Sequence, residues 1–300
     1  MPNRMSHNLT PKLRLALLFV TALAVASPAF AQGKSLGKGR GAKAPQPPAT
    51  SEQAATIAGT GVRHFGMWLD DASFLPKGKG WTTFGVGYWQ SRFGHQWDLP
   101  SMDAGYALDR RVHVSVNAPY SHASYTDGYT SRGLGDTYLS AKVGIIDPDV
   151  EGRTFGLAVA PVVEILSSGS AIEGESRVNW AIPVTVERRF PSFRVYGSGG
   201  YFSRGSVFGA GAIEVPLNDR IVVVATLSHS RSLSDDPLAD ALELGKSRYD
   251  LNGALMYVLT PTAAVFGSLG RTISRADANA STLAVSGGIS LGFSTVRTKR

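Results

Sequence analysis

Between Trp81 and Phe293 the sequence repeats one pattern, in which apolar and polar side chains alternate along segments of about ten residues. Gly133–Ile146 (GLGDTYLSAKVGII) shows the pattern most clearly. Read with a period of two, it places Thr137, Leu139, Ala141, Val143 and Ile145 on one face and Asp136, Tyr138, Ser140, Lys142 and Gly144 on the other. A chain filled with strands that have one apolar and one polar face is typical of a transmembrane β-barrel.

Twelve segments carry the alternation, and the fold class we predict is all-β, an antiparallel up-and-down transmembrane β-barrel of about 12 strands. The segments are Trp81–Gln90, Leu99–Leu108, Arg111–Pro119, Leu134–Ile146, Arg153–Leu166, Arg177–Arg188, Phe193–Phe202, Gly205–Val215, Arg220–Arg231, Ser247–Leu259, Ala263–Ile273 and Ser281–Phe293.

The connections between these segments alternate in length. Short turns such as Asp109-Arg110 and Thr260-Pro261 alternate with longer stretches, and only Ser203-Arg204 departs from the pattern. The long stretches are Ser91–Asp98, Tyr120–Gly133, Ser167–Ser176, Ser232–Lys246 and Ser274–Ala280. Tight turns on the periplasmic side and long loops outside are typical of an outer-membrane barrel, so we expect both termini in the periplasm.

The ends of the chain differ in composition from the alternating region. Residues 1–31 combine a basic start, an apolar run and an Ala29-Phe30-Ala31 triplet, which together predict a cleaved secretory signal peptide. Residues 32–50, rich in glycine, lysine and proline, are expected to form a disordered basic linker. We expect residues 51–79 to form a lead-in or a small plug segment, residues 80–293 the barrel, and residues 294–300 a basic C-terminal tail.

The net charge of +7 comes from the N-terminal part of the chain. Residues 1–50 contain seven Lys or Arg residues and no Asp or Glu, so the rest of the chain carries 23 basic and 23 acidic side chains. Nucleic acid is therefore not expected as a partner, because binding it requires basic residues clustered on the folded domain. The chain has no cysteine, which excludes disulfides and thiolate metal sites, and no cofactor is expected.

Charged residues of the predicted strands keep to the face that would line the lumen, because a Lys or Arg facing lipid at mid-bilayer costs about 2–4 kcal/mol. The candidate lumen and permeation residues are Arg111, Asp136, Lys142, Glu164, Glu187, Arg194, Arg248 and Asp250, with Glu214 on the same face. These charges either pair across strands and brace the barrel or line a polar path with weak ion selectivity. Twelve strands predict a small, partly obstructed lumen. Aromatic residues near strand ends, including Trp81 and Trp89, are assigned to the interfacial girdles.

One stretch resembles a known family. Gly133–Asp136 followed by Lys142, after the strand end Ala118–Tyr120, is similar to the outer-membrane transporters assigned to the MetA pathway of phenol degradation, as is Leu75–Gly78 before the first strand. The resemblance implies passage of small hydrophobic or aromatic compounds across the outer membrane. It also implies a paired site inside the barrel formed by Asp136 and Lys142.

Enzymatic activity is not expected. His113 and Ser115 have the spacing of the His and Ser in outer-membrane phospholipases, which are the enzymatic alternative. The alternation assigns both residues to the lumen, whereas such a pair must meet lipid from outside.

The sequence therefore predicts a passive uptake channel for small molecules in the outer membrane of a Gram-negative-type cell. The partners that we expect are outer-membrane lipid, the barrel-insertion machinery, which reads the aromatic residue Phe293 at the end of the last strand, and a small-molecule substrate. A competing interpretation is a structural or surface-interaction barrel that conducts nothing and binds through long loops such as Tyr120–Gly133. A soluble periplasmic β-protein is a third.

Overall fold

The structure, a computed structural model, describes residues 69, 71–147, 154–167, 176–233, 245–260, 262–274 and 280–295. Its strands are β1 (Lys79–Ser91), β2 (Gly94–Asp109), β3 (Val112–Tyr125), β4 (Thr130–Leu134), β5 (Thr137–Ile146), β6 (Phe155–Val159), β7 (Val162–Ile165), β8 (Val178–Arg189), β9 (Arg194–Phe202), β10 (Ser206–Pro216), β11 (Ile221–Ser232), β12 (Ser247–Thr260), β13 (Ala263–Thr272) and β14 (Ser281–Ser294). Within these ranges, no helix has the length and apolar character needed to cross a membrane.

All the strands belong to one closed antiparallel sheet. β1 pairs with β2 on one side and with β14 on the other, and β3 pairs with β5, so the sheet has no free edge along the barrel. β4 and β5 both pair with β3 and form two halves of one barrel strand. β6 and β7 both pair with β8 and form another, interrupted at Pro161, which has no N–H to donate to the ladder. The predicted all-β barrel of 12 strands is confirmed.

The alternation of exposure along β8 shows which face is outside. Trp180 and Ile182 are 46% and 47% exposed, whereas Asn179, Thr185 and Glu187 are buried. The other strands also expose many large apolar side chains, such as Leu139, Leu255 and Leu269, as expected for a surface that contacts lipid. The outward and inward faces predicted for this strand from period-two alternation are therefore those that the structure has.

Two of the predicted long loops are wrong. β1 and β2 are joined by residues 92–93 alone, and β3 and β4 by residues 126–129, so most of Ser91–Asp98 and Tyr120–Gly133 is β-strand. The outward residues of these extensions include His95 and His122. Because no continuous apolar face marks these extensions, the alternation that identifies the other strands is absent there.

The girdle assignment is also wrong for two aromatic residues. Trp81 and Trp89 line the interior cavity. The indole of Trp81 packs against the Gly105 position, where any Cβ would collide with the ring. A glycine at this point of β2 therefore makes room for a large ring inside the barrel.

Several predictions concern residues outside the described ranges. They are the signal peptide at 1–31, the linker at 32–50, most of the 51–79 segment, most of Ser167–Ser176, Ser232–Lys246 and Ser274–Ala280, and most of the tail at 294–300.

One side of the interior is filled by side chains. Tyr138, Val162, Ala181, Phe202 and Phe208 form a buried cluster inside the barrel wall made by β5, β7, β8, β9 and β10. Their bulk moves the open part of the lumen toward the opposite wall, which β1, β2 and β12–β14 form. The lumen is thus partly obstructed.

Candidate functional site

The barrel encloses a cavity of about 780 Å³. This volume lies in the range of about 300–1,000 Å³ that small-molecule sites occupy. Hydroxyl groups such as those of Thr83, Ser286 and Ser290 alternate on its wall with aromatic rings. The aromatic lining residues are Trp81, Trp89, Tyr138 and Phe266, with Tyr88 also at the boundary, and the charged ones are Asp98, Asp103, Lys142, Arg248, Asp250 and Arg271.

Residues 71–75, which we call the plug segment, lie near one end of the cavity and contact Lys142 and His113, two residues that line it. This end is the one at which the short turns lie. The Ala72 side chain is fully buried, and its backbone N–H donates to Oε2 of Glu187 at 3.0 Å. The Ser73 hydroxyl donates to the same oxygen at 3.0 Å, and Nη2 of Arg189 donates to the Ser73 hydroxyl at 2.9 Å. The plug segment is therefore bound to β8 by a polar network.

Asp71 is the electrostatic centre of the plug segment. Its Oδ2 lies 2.6 Å from Nη1 of Arg194, and its Oδ1 lies 3.5 Å from Nζ of Lys142. Nζ of Lys142 also donates to the Asp71 carbonyl oxygen at 3.1 Å, and Nη2 of Arg194 lies 2.7 Å from Oε2 of Glu214. Burial by itself would raise the pKa of Asp71. The Lys142 and Arg194 charges and the hydrogen bonds from Arg194 and the Ser73 backbone outweigh burial and hold that pKa below its ordinary value.

Phe74 and Leu75 bind the plug segment to β3 and β5. The Phe74 ring lies edge-on to the His113 ring with centroids 4.9 Å apart, and Nζ of Lys142 lies 5.2 Å from the Phe74 centroid. A Cβ added at Gly144 would lie 2.7 Å from the Phe74 ring, so the glycine provides the space that the ring occupies. The Leu75 N–H donates to Nε2 of His113 at 3.0 Å.

The structure brings three of the candidate residues, Lys142, Glu187 and Arg194, together around the plug segment, and Glu214 joins them. Arg194 links them, because its Nη1 lies 2.6 Å from Asp71 and 3.6 Å from Oε1 of Glu187. These charges pair with one another across strands, as one of the two interpretations of the lumen charges expected.

Other candidate residues lie elsewhere in the barrel. Nε of Arg248 lies 2.8 Å from Oδ1 of Asp250 on β12. Glu164 accepts hydrogen bonds from the Tyr138 hydroxyl and from Nδ2 of Asn179, both at 2.8 Å. These residues form two further polar groups on the interior wall.

Arg111 lies in the turn between β2 and β3, where its Nη1 donates to the Ile145 carbonyl at 3.3 Å. It is therefore at the short-turn end of the barrel rather than at the cavity wall.

Asp136 and Lys142 do not form the paired site that the family resemblance implies. Asp136 lies at the break between β4 and β5, where its Oδ1 accepts a hydrogen bond from the Ser167 N–H at 2.8 Å. Lys142 is six residues further along the strand, a rise of about 20 Å. Both side chains are on the predicted inward face, but the distance along the strand keeps them apart.

Sequence reasoning did not identify Asp71, Asp98 or Asp103. Asp98 lay in a predicted loop, and Asp71 lies outside the alternating region. Asp103 lies inside a predicted strand, and its inward parity was the signal that could have identified it. His113 and Ser115 both line the cavity, as the alternation predicts. Among the described residues, no group of three or more His, Asp or Glu side chains is placed to hold a metal ion.

Solved structures that resemble this barrel are outer-membrane proteins. An outer membrane channel from Pseudomonas putida F1 superposes with a TM-score of 0.54 at 12% identity, covering 74% of this chain and 98% of that one. NanC porin superposes with a TM-score of 0.51 at 10% identity, covering 70% of this chain and 98% of that one. No protein-family model matches the sequence, and no curated protein does. At these identities, the likeness establishes a shared porin-like barrel fold.

Proposed function

We propose that this protein is an outer-membrane channel for passive uptake of small molecules and that the plug segment closes its periplasmic end. The observation that carries the proposal is a cavity of about 780 Å³ inside a closed barrel, with residues 71–75 bound to the inward side chains Glu187 and Arg194 at the short-turn end. The apolar exterior suits a lipid bilayer, and short turns face the periplasm in barrels of this kind. The names of the similar structures, an outer membrane channel and a porin, support the same role.

The chemistry of the cavity wall favours small solutes with an aromatic or apolar part. Trp81, Trp89 and Phe266 offer ring faces, and serine and threonine hydroxyls offer hydrogen bonds between them. Such a wall suits the small aromatic compounds implied by the resemblance to the transporters of the MetA pathway of phenol degradation. We place the chain in that family as part of the proposal.

The plug segment gives the channel two states. In the closed state, Asp71 lies between Lys142 and Arg194, and the plug segment occupies the short-turn end of the lumen. Flux of solutes larger than ions therefore requires the plug segment to leave its site, whereas the barrel strands keep their pairing.

A structural role in the membrane, without conduction, is the second candidate, because the ion pairs of the plug segment also brace the barrel. Planar-bilayer recordings of the purified mature protein separate the two. We expect discrete conductance steps and, in liposomes, uptake of small aromatic solutes. A folded barrel that gives neither current nor solute uptake, even after substitution of Asp71 by Ala, would contradict the channel proposal.

A further inference from the structure

Two carboxylates of β2 line the cavity without a cationic partner. Oδ1 of Asp103 accepts a hydrogen bond from Nε1 of Trp81 at 2.7 Å. Oδ1 of Asp98 accepts hydrogen bonds from the Ser121 hydroxyl at 2.6 Å and from Nε2 of Gln96 at 2.8 Å. All three donors are neutral. Within the described part of the chain, no Lys or Arg nitrogen forms an ion pair with either carboxylate.

The cations that line the cavity belong to other strands and are placed differently. Lys142 lies against Asp71, and Arg248 is 4% exposed and forms an ion pair with Asp250 at 2.8 Å. Arg271 is exposed and lies next to the last residue of β13, at the end opposite the plug segment. Asp98 and Asp103 therefore place two carboxylates on the cavity wall that have no Lys or Arg of the described residues in ion-pair contact.

The two carboxylates lie at different heights of the same wall. Asp103 is the register partner of Thr83 on β1, and Asp98 is the partner of Gly87. Four residues separate these partners, which corresponds to about 13 Å along the strand. A solute that crosses the cavity passes both carboxylates in turn.

We infer that Asp98 and Asp103 determine the charge specificity of the lumen, which admits small cations, including protonated amines, in preference to anions. The inference rests on the proposed function, in which solutes pass through this cavity. Fixed charge in a narrow lumen with low-dielectric walls gives potentials of one to several kT. A potential of about one kT enriches cations and depletes anions by a factor of about 2.7 each, so the preference is about sevenfold. The indole of Trp81, which is bonded to Asp103, adds a ring face that attracts organic cations.

The absence of native cysteine allows a test that does not depend on conduction. The Ser290 hydroxyl lies 3.1 Å from that of Thr83, the neighbour of Asp103, and Ser286 is the register partner of Gly87, the neighbour of Asp98. Ser290→Cys and Ser286→Cys are each treated, in the folded full-length mature barrel, with a trimethylammonium-bearing and a sulfonate-bearing methanethiosulfonate. Rates are measured by mass spectrometry and divided by those of the same reagents with a small free thiol.

The corrected rate with the cationic reagent, divided by that with the anionic reagent, should be about seven. The same ratio should fall to about one in the Asp98→Asn, Asp103→Asn background. Asparagine keeps the acceptor oxygen for Trp81 and Ser121, so the wall is preserved while the charge is lost. Asp219→Asn, in the exposed turn before β11, is the matched control and should leave the ratio unchanged. A ratio near one in the native background, a ratio that survives the double substitution, or thiols that react with neither reagent would overturn the inference.

Reversal potentials in a tenfold KCl gradient measure whether the channel itself prefers cations to anions during permeation. We expect the sign of a cation-preferring channel, and loss of that preference in the double variant. If no current flows, even in Asp71→Ala, but the thiol ratio is as expected, the channel proposal fails and the charge preference of the cavity stands. If current flows without preference and the thiol ratio is one, the channel proposal stands and Asp98 and Asp103 do not set its specificity.

Discussion

Replacing Asp71 with Ala should release the plug segment and raise the open probability of the channel. The substitution removes the carboxylate that lies 2.6 Å from Arg194 and 3.5 Å from Lys142. Two cations then face each other across an empty position, and the remaining contacts of the plug segment must hold it against their repulsion.

The size of the effect follows from the burial of the three side chains. They are 21% exposed for Asp71, 25% for Arg194 and 9% for Lys142. Exposed ion pairs contribute about 0–1 kcal/mol, and removing one partner of a fully buried pair costs about 3–5 kcal/mol. A largely buried group like this one should lose about 2–3 kcal/mol of docking free energy. At about 1.4 kcal/mol per factor of ten, the ratio of docked to released plug segment falls about 30- to 150-fold.

Single-channel recording of the folded protein measures this ratio directly as the open probability, and liposome swelling with a small sugar measures it as flux. Asp109→Ala is the matched control, because Asp109 forms an ion pair with Lys77 at 3.9 Å in which both side chains are more than 60% exposed. That variant should behave like the native protein. Gly144→Ala should release the plug segment by a different route, since the added Cβ meets the Phe74 ring at 2.7 Å.

An unchanged open probability in both Asp71→Ala and Gly144→Ala, with the barrel folded, would refute the reasoning. The plug segment would then be a fixed part of the wall. An effect of Asp109→Ala as large as that of Asp71→Ala would also refute it, because the difference in exposure would then not explain how much each ion pair contributes.

Three further predictions test other contacts. Acid should open the channel, because Asp71 has a lowered pKa in the docked plug segment. Its stabilising effect is complete at pH values above the ordinary pKa of 3.8 and is lost as the pH falls through the lower pKa of the docked state. Current recorded from pH 6 to pH 3 should therefore rise only at the acid end, and an equal rise in Asp71→Ala would contradict this. Glu187→Ala should lower the free energy of unfolding by about 3–5 kcal/mol, because it leaves Arg189 and the plug segment without a buried carboxylate; denaturant titration measures this, and a loss under 1 kcal/mol would count against it. Ile182→Arg, on the outward face of β8, should cost about 2–4 kcal/mol in liposomes and less in detergent, and the same loss in both would argue that this face does not meet lipid.

Period-two alternation is enough to predict the barrel, because lipid outside and polar groups inside impose it on every membrane-facing strand. It predicts the inward positions of Lys142, Glu187 and Arg194 from sequence alone. It fails for the extensions of β2 and β3 around His95 and His122, where no apolar face marks the outer side.

The contacts of the candidate site could not be predicted in the same way. Alternation fixes the face of a residue but not its height or its partner across the barrel. Asp136 and Lys142 share a face and are about 20 Å apart. Asp71 and Arg194 are 123 positions apart in the chain and lie in contact. Nothing in the local pattern around Asp71 indicates that it meets a cation at all.

The position of the plug segment also sets an order of assembly. Its partners Lys142 and Arg194 follow Asp71 by 71 and 123 residues. The strand that follows the plug segment, β1, has β14 as one of its two pairing partners, so this pairing waits for the last strand. Contacts this distant in sequence form late, because their loop-closure entropy must be overcome first. The docking site for Asp71 thus exists only once the strands from β5 to β10 have paired in the correct register. A strand such as β9 that paired one residue out of register would turn its inward side chains, including Arg194, to the lipid, so a docked plug segment marks a barrel whose strands are correctly paired.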